Sequence, residues 1–389
     1  MNVPKLRFKE FTDEWKQTPL KNIIYSNIIE APKPTTDYIR LGIRSHCKGT
    51  FHELVKIENI LSADKMYIVP KNNLILNITF AWEQAIAITD DNDEGKYISN
   101  RFPTFAFKDN QLPTFYKYII PQKRLKYDLN VASPGGAGRN RVLNKKLFLS
   151  IPVNIPLLKE QEKISKFLTT VDKKITNLKN TITNLENQKK GLLQQIFSQK
   201  LRFKDENGNN YPNWEKKKLE DISNITMGQS PDSDFVNTEK IGTPFLQGNA
   251  EFTNKYPIEK YWCTKPQKIA NPTDILLSVR APVGAINIAN KKFCIGRGLS
   301  AISFNCNKLF GKYNLEFNLF QLIKKSQGST FSSINKKDIS EVILFIPCLE
   351  EQTKIADFLS AFDRKLENQK AQLEHWKQIK KGLLQQMFV

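Results

Sequence analysis

Apolar residues in the middle of the chain recur in steps of four and three, at Ile164, Leu168, Val171, Ile175, Leu178, Ile182, Leu185, Leu192 and Ile196. That spacing is a heptad seam. A second seam runs through Ile355, Leu359, Phe362, Leu366, Leu373, Trp376, Leu383 and Met387. A shift of 191 positions lays residues 156–197 on 347–388 without a gap, and the run 189–195 returns unchanged at 380–386. The chain therefore carries an internal duplication. Both seams break at matching points, Lys189 and Lys380. A period of 3.5 residues makes a helix wind around a partner, so the pattern predicts two long helices paired with each other.

Connectivity sets their direction. The first helix ends where the intervening segment begins, and the second starts where it ends, so a compact intervening segment makes the pair antiparallel. Such a pair has a pseudo-twofold axis, which would place the two globular segments at opposite ends. The duplication also covers a short box: Lys5-Leu6-Arg7-Phe8-Lys9, with Trp15, Leu20 and Ile23, returns as Lys200-Leu201-Arg202-Phe203-Lys204, with Trp214, Leu219 and Ile222. The order of boxes and helices is that of a ring opened at one point, with the end of the second helix returning toward the first box. The expected segments are a globular 1–155 with its box at 4–19, a helix in 156–199, a globular 200–346 and a helix in 347–389.

Each globular segment alternates short runs rich in Ile, Val and Phe with turn-like clusters. Residues 38–43, 74–78, 85–89 and 102–107 are such runs in the first, and 243–249, 275–284 and 295–302 in the second. Short strands at this spacing predict an α+β class, with two β-rich domains joined by two antiparallel coiled-coil helices in a circular repeat. The tails of the two segments echo each other, Asn144-Lys145-Lys146 against Asn335-Lys336-Lys337, yet their interiors share almost no residues.

Charge changes the picture. The formal net charge is +20, and the excess is spread over both globular segments, as expected if each faces a polyanion. The stretch 122–146 carries Lys123, Arg124, Lys126, Arg139, Arg141, Lys145 and Lys146 against a single acid, Asp128, with Gly135, Gly136 and Gly138 in its middle. It suits phosphate contacts or is an exposed loop. The five cysteines are scattered with no C-x-x-C pair, which predicts a reducing compartment. No apolar run reaches membrane length and the charged start has no apolar core after it, so the expected location is the cytoplasm, with no membrane partner.

Several chemistries are weak here. Asn271-Pro272-Thr273-Asp274 lacks the second Pro and the stacking ring of a base-flipping methyltransferase tetrapeptide, and reads as a turn. No G-x-x-x-x-G-K-S/T loop is present, so ATP-driven motion belongs elsewhere. Asp90 with Glu94-Gly95-Lys96 could be read as a metal nuclease, and His46, Cys47 and His52 as metal ligands, but neither has a sufficient pattern. No metal, cofactor or catalytic residue is expected.

The motif P-x-x-E-Q-x-x-I heads each helix, at 156–164 and 347–355, and each ends in Gly-Leu-Leu-Gln-Gln-Ile/Met-Phe. With the circular duplication, these motifs resemble the DNA-specificity subunit of type I restriction-modification systems over essentially the whole chain. The resemblance implies a non-catalytic reader of double-stranded DNA with a target-recognition domain in each half. It also implies two methyltransferase subunits clasping the helices and restriction subunits with translocase activity joining them, so that S-adenosylmethionine, ATP and Mg²⁺ belong to those partners. Residue type and turn placement nominate Arg40, Arg44, Lys123, Arg124, Arg139, Arg141 and Lys145 in the first domain for contacts with DNA, and Gln247, Asn249, Arg280, Arg297 and Lys336 in the second. For the helix pair and its partners the expected residues are Ile164, Phe167, Leu168, Val171, Ile175, Leu192, Phe197, Ile355, Phe358, Leu359, Phe362, Leu366, Leu383 and Phe388. The stripe is wider than a two-helix coil buries, because Phe167, Leu193, Phe197, Phe358, Leu384 and Phe388 lie beside the seam. Additional helices or the chain's own domains must cover it. From Ile164 to Ile196 the seam is about 48 Å long at 1.5 Å per residue, a distance of roughly fourteen base pairs. Two other readings stay open: a nuclease built on Asp90 and Glu94, and an adaptor that never touches DNA.

Overall fold

The structure, a computed structural model, describes residues 3–59, 65–136, 141–253, 255–327 and 333–389. They form two compact units, one of residues up to 178 together with 372–389, the other of residues 179–371. This division runs through both long helices, so each unit holds a globular segment and pieces of both.

In the first unit the strands are β1 (Lys16–Pro19), β2 (Ile24–Ser26), β3 (Ile29–Ala31), β4 (Tyr38–Ile43), β5 (Thr50–Val55), β6 (Met66–Ile68), β7 (Leu74–Leu76), β8 (Ile86–Ile88), β9 (Tyr97–Ile98) and β10 (Thr104–Phe107). Helices α1 (Pro113–Ile119), α2 (Lys123–Val131) and α3 (Lys145–Ser150) follow, then β11 (Pro152–Ile155) and the 40-residue α4 (Leu158–Phe197). Strand order is β2-β10-β7-β8 in one sheet and β3-β6-β9-β4-β5 in a second, while β1 pairs with β11. The second unit repeats the count with β12 (Glu215–Lys218), α5 (Leu219–Ile222), β13 (Ser223–Met227), β14 (Val236–Asn237), β15 (Thr243–Leu246), β16 (Tyr261–Cys263), β17 (Ile269–Ala270), β18 (Ile275–Ser278), β19 (Ile286–Ile288), β20 (Phe293–Ile295) and β21 (Leu299–Phe304). It closes with α6 (Lys308–Gln327), α7 (Lys336–Ser340), β22 (Ile343–Ile346) and the 38-residue α8 (Leu349–Gln386). Its sheets run β13-β21-β18-β19 and β14-β16-β15-β20-β17, with β12 on β22.

The sequence echoes have local causes. The Asn144 side chain caps α3 by accepting from the amides of Lys146 and Leu147, and Asn335 caps α7 by accepting from Asp338 N; a capping oxygen satisfies orphan helix amides. The acidic run after β8 is a turn. Asp93 is buried there, its Oδ1 accepting from Thr50 Oγ1 and lying 2.9 Å from His52 Nε2, its Oδ2 accepting from Asp90 N. Asn271-Pro272-Thr273-Asp274 is also a turn, closed by Asn271 N on Asp274 Oδ2.

The duplicated box and helix head form one clamp in each unit. Glu160 is buried and accepts from Arg7 Nε and Nη2 at 2.8 and 2.7 Å and from Trp15 Nε1 at 3.3 Å. Glu351 does the same for Arg202 Nε and Nη2 at 3.1 and 2.6 Å and Trp214 Nε1 at 3.0 Å. The carboxylates hold both guanidiniums above their ordinary pKa through these bonds. The neighbouring glutamines each bridge a domain amide and the motif proline: Gln161 joins Leu112 N to Pro156 O, and Gln352 joins Asn307 N to Pro347 O. The P-x-x-E-Q motif is thus first of all a fold device, since a buried charge must be paired and hydrogen-bonded.

The helices pair antiparallel within each unit. In the first, Ile164 and Leu168 of α4 share a core with Met387 and Phe388 past the end of α8, and Lys380 Nζ lies 2.6 Å from Asp172 Oδ1. Leu6 N donates to Gln386 O at 2.9 Å, so the end of α8 does return to the first box. In the second, Ile196 and Phe197 meet Ile355 and Leu359, while Lys189 Nζ lies 2.6 Å from Asp363 Oδ1 and Lys370 Nζ 2.7 Å from Glu186 Oε1. On α4 the seam residues Ile164, Leu168, Val171, Ile175, Leu178, Ile182, Leu185 and Ile196 are all buried, with Leu192 half-buried. On α8, Ile355, Leu359 and Leu366 are buried, but Phe362, Leu373, Trp376 and Leu383 only half so.

The widened apolar stripe is largely accounted for by the chain itself. Phe197 packs on Trp214, Phe310 and Phe317, and Phe388 on Trp15 and Phe115, both buried. Leu193 and Leu384 join the same cores, Phe358 meets Phe203 and Phe362, and Phe167 meets Phe8 edge-on while staying 38% exposed. This corrects the inference that further helices must cover these positions: the domains do so because their boxes and helices supply aromatic faces at the same height.

Candidate nucleic-acid interface

In the second unit, the register of β18 on β21 ends at Ser278 opposite Leu299 and is carried further by Val279 N donating to Gly298 O at 2.9 Å. Arg280 therefore lies beside the Gly296-Arg297-Gly298 turn, and its backbone bridges Ser333. That turn presses on the end of β15: Gly296 N donates to Leu246 O, and a Cβ at Gly298 would stand 2.7 Å from the carbonyl oxygen of Gln247. Only glycine allows this approach. Ser230 Oγ accepts from Arg297 N at 3.3 Å. The fold thus gathers Gln247, Arg280 and Arg297 at one edge of the domain, all exposed, with Asn249 opening the next turn. Among the described residues, no carboxylate pairs with Arg280 or Arg297. Such forked donors and amides are free to meet base edges or phosphates.

The first unit builds the same frame. Ile78 N donates to Arg101 O as Val279 N does to Gly298 O, Asn77 N to Ala85 O as Ser278 N to Ala285 O, and Leu143 N to Ile78 O as Ile334 N to Val279 O. The loop on this frame, residues 79–84, carries Phe80, 45% exposed, and Trp82, whose Nε1 donates to Thr79 O. Ser45 Oγ donates to Glu83 Oε2 at 2.8 Å, tying the loop to the turn after Arg44. Phe80, Trp82 and the exposed Arg101 were missed by residue-type reasoning, although an aromatic pair in the turn between two strand runs was a usable signal.

The other candidates fare unequally. Arg141 donates to the carbonyls of Ser133 and Asn130 at 3.0 and 2.8 Å and stacks over Trp82 at 5.0 Å, so it caps α2 and supports the loop, where sequence suggested direct DNA contact. Arg40 is paired with Glu53 at 2.7 Å, and Arg44 donates to Thr50 O and lies over Phe51 at 5.0 Å. Arg124 pairs with Asp128 one turn on. Lys123, Lys145 and Lys336 are exposed in the first turns of α2, α3 and α7. The stretch 122–146 is thus partly helical, not one loop, and Arg139 lies outside the described residues. Among the described residues no group of three His, Cys, Asp or Glu could hold a metal, and no helix is long and apolar enough to cross a membrane. Glu94 of the acidic turn faces Lys71 at 3.8 Å.

Residues 17–187 and 211–375 match the type I restriction modification DNA specificity domain. The chain belongs to that family. It is 37% identical over 408 aligned positions to the putative type I restriction enzyme MjaX specificity subunit of Methanocaldococcus jannaschii, covering 98% of this chain and 95% of that one. Identity to the type I restriction enzyme MjaVIII specificity subunit of the same organism is 24%, over 91% and 84% of the two chains. The fold is similar to that of the type I restriction-modification S subunit from M. genitalium, with a TM-score of 0.63 and 14% identity over 100% and 99% of the chains. A chain from a structure of type I R-M complex assembly and conformational transition gives 0.59 and 24%, over 95% and 96%. As a type I specificity subunit, this chain is a DNA-recognition component and not a catalytic one.

Proposed function

We propose that each unit reads one part of a two-part double-stranded DNA site, and that the antiparallel helices set the unread gap between the parts. The observation that carries this reading is the repeated frame with unlike contents. The same three backbone hydrogen bonds support a loop with Phe80 and Trp82 in one unit and a loop with Arg280 beside Arg297 in the other. Two copies of one scaffold that differ where side chains reach solvent are suited to two different base sequences. Two methyltransferase subunits dock on the helices and bring S-adenosylmethionine, and restriction subunits bring ATP-driven translocation and Mg²⁺-dependent cleavage. The assembly works in the cytoplasm and directs adenine methylation or restriction to the chosen site.

The test is to map methylated adenines in cells making the methyltransferase with this chain. An insertion of four residues in each long helix, about 6 Å of rise, should lengthen the gap by just under two base pairs and leave both read parts unchanged. Altered read parts at an unchanged gap would refute the proposal.

A further inference from the structure

Lys189 and Lys380 occupy seam positions where an apolar residue is due, and each is engaged in the same way. In the second unit Lys189 Nζ lies 2.6 Å from Asp363 Oδ1, Tyr313 OH donates to Asp363 Oδ2 at 2.7 Å, and the ammonium stands 5.1 Å from the Tyr313 ring centre. In the first, Lys380 Nζ lies 2.6 Å from Asp172 Oδ1, Tyr118 OH donates to Asp172 Oδ2 at 3.1 Å, and the ammonium stands 5.9 Å from the Tyr118 ring centre. Each triad takes one residue from α4, one from α8 and one from a helix of the globular domain, α1 or α6. Both tyrosine side chains are buried, and burial, first among the causes, raises their pKa so that they stay donors.

The apolar seam alone discriminates poorly between neighbouring registers. Its members are interchangeable Ile, Leu and Val on α4, and on α8 half of the seam is only partly covered. A polar pair inside a seam is the device that specifies register, at some cost in stability. We propose that the two Lys–Asp–Tyr triads are positioning residues that lock each recognition domain to both helices at one register and so set the length of the unread gap. This rests on the two-part reading above.

The experiment uses the full chain co-produced with its methyltransferase, and reads the distribution of gap lengths at methylated sites. Lys189→Met with Lys380→Met should keep both read parts and raise methylation of sites with a gap one base pair longer or shorter about tenfold, the ratio expected for the loss of one charge-assisted contact. Lys189→Arg with Lys380→Arg should restore the single gap. Tyr118→Phe with Tyr313→Phe keeps the buried rings and the ion pairs, guards against loss of folding, and should broaden the gap less. An unchanged single gap in both the methionine and the phenylalanine variants overturns the proposal, as does any change in the read bases. A parent complex that methylates no two-part site overturns the underlying reading and this proposal with it, whereas a two-part parent site with an unmoved gap overturns only the triads.

Discussion

The two recognition units share a four-stranded core in the larger sheet, β6-β9-β4-β5 in one and β17-β20-β15-β16 in the other, each with one parallel pair at its centre. They differ in the edge. In the first unit β3 adds to β6 and leaves β5 as an open edge, while in the second β14 adds to β16 and leaves β17 open. The clamps differ only in detail: Glu351 is fully buried with Arg202 20% exposed, Glu160 is 2% exposed with Arg7 at 10%. Divergence is therefore confined to sheet edges and to the loop on the common frame, where a changed side chain disturbs no core. The clamps and triads tolerate no such freedom, because each member leaves a buried polar partner stranded if it is lost.

The largest test of this contrast removes a clamp carboxylate. Glu351→Ala and Glu160→Ala should each destabilise their own unit by about 3–5 kcal/mol, the cost of breaking a buried pair. The effect should be greater at Glu351, where the Trp214 bond is 3.0 Å against 3.3 Å for Trp15. Thermal unfolding gives the size, and amide exchange that rises in only one unit gives the location; equal exchange in both would mean the units are not separately held.

The reading loops come next. Arg280→Ala or Arg297→Ala should relax one read part by about 1–3 kcal/mol and leave the other intact. Phe80→Ala should do the reverse, and binding-site selection on the assembled complex distinguishes them. Exposed lysines should matter less and without base preference: Lys123→Ala and Lys336→Ala should each weaken binding to all sequences and lower the salt slope by about 1, measured by titration over a range of salt.

The smallest effect is alkaline. Burial pushes the Cys47 thiol up to about 12 and the Cys306 thiol to about 11. A pKa raised on folding lends stability that is present below the ordinary thiol range and lost as pH climbs toward the folded value. Cys47→Ala and Cys306→Ala should therefore each remove less than about 1 kcal/mol of the stability change seen between pH 7 and pH 9. Urea midpoints at the two pH values check it.

Much of this was legible because it is periodic or repeated. The heptad seams gave two helices, and the ring-like order of boxes gave their direction, since a compact chain can close them in only one way. Strand runs at 38–43 and 275–278 were visible as β-branched clusters. Side-chain destinations were not: nothing in the order of residues distinguishes Arg141, spent on the carbonyls of Asn130 and Ser133, from Arg280, which is exposed.

Local periodicity and internal repetition, which act through neighbours along the chain, determined the helices, their antiparallel sense and the presence of two equivalent domains. The tertiary structure alone decided which charges are consumed in holding the fold, which reach solvent at the reading edge, and that the seam-breaking lysines belong to triads. Those outcomes depend on groups brought together across 145 to 191 positions of sequence, as Trp15 is to Glu160, and close approach in space over such separations leaves no periodic trace.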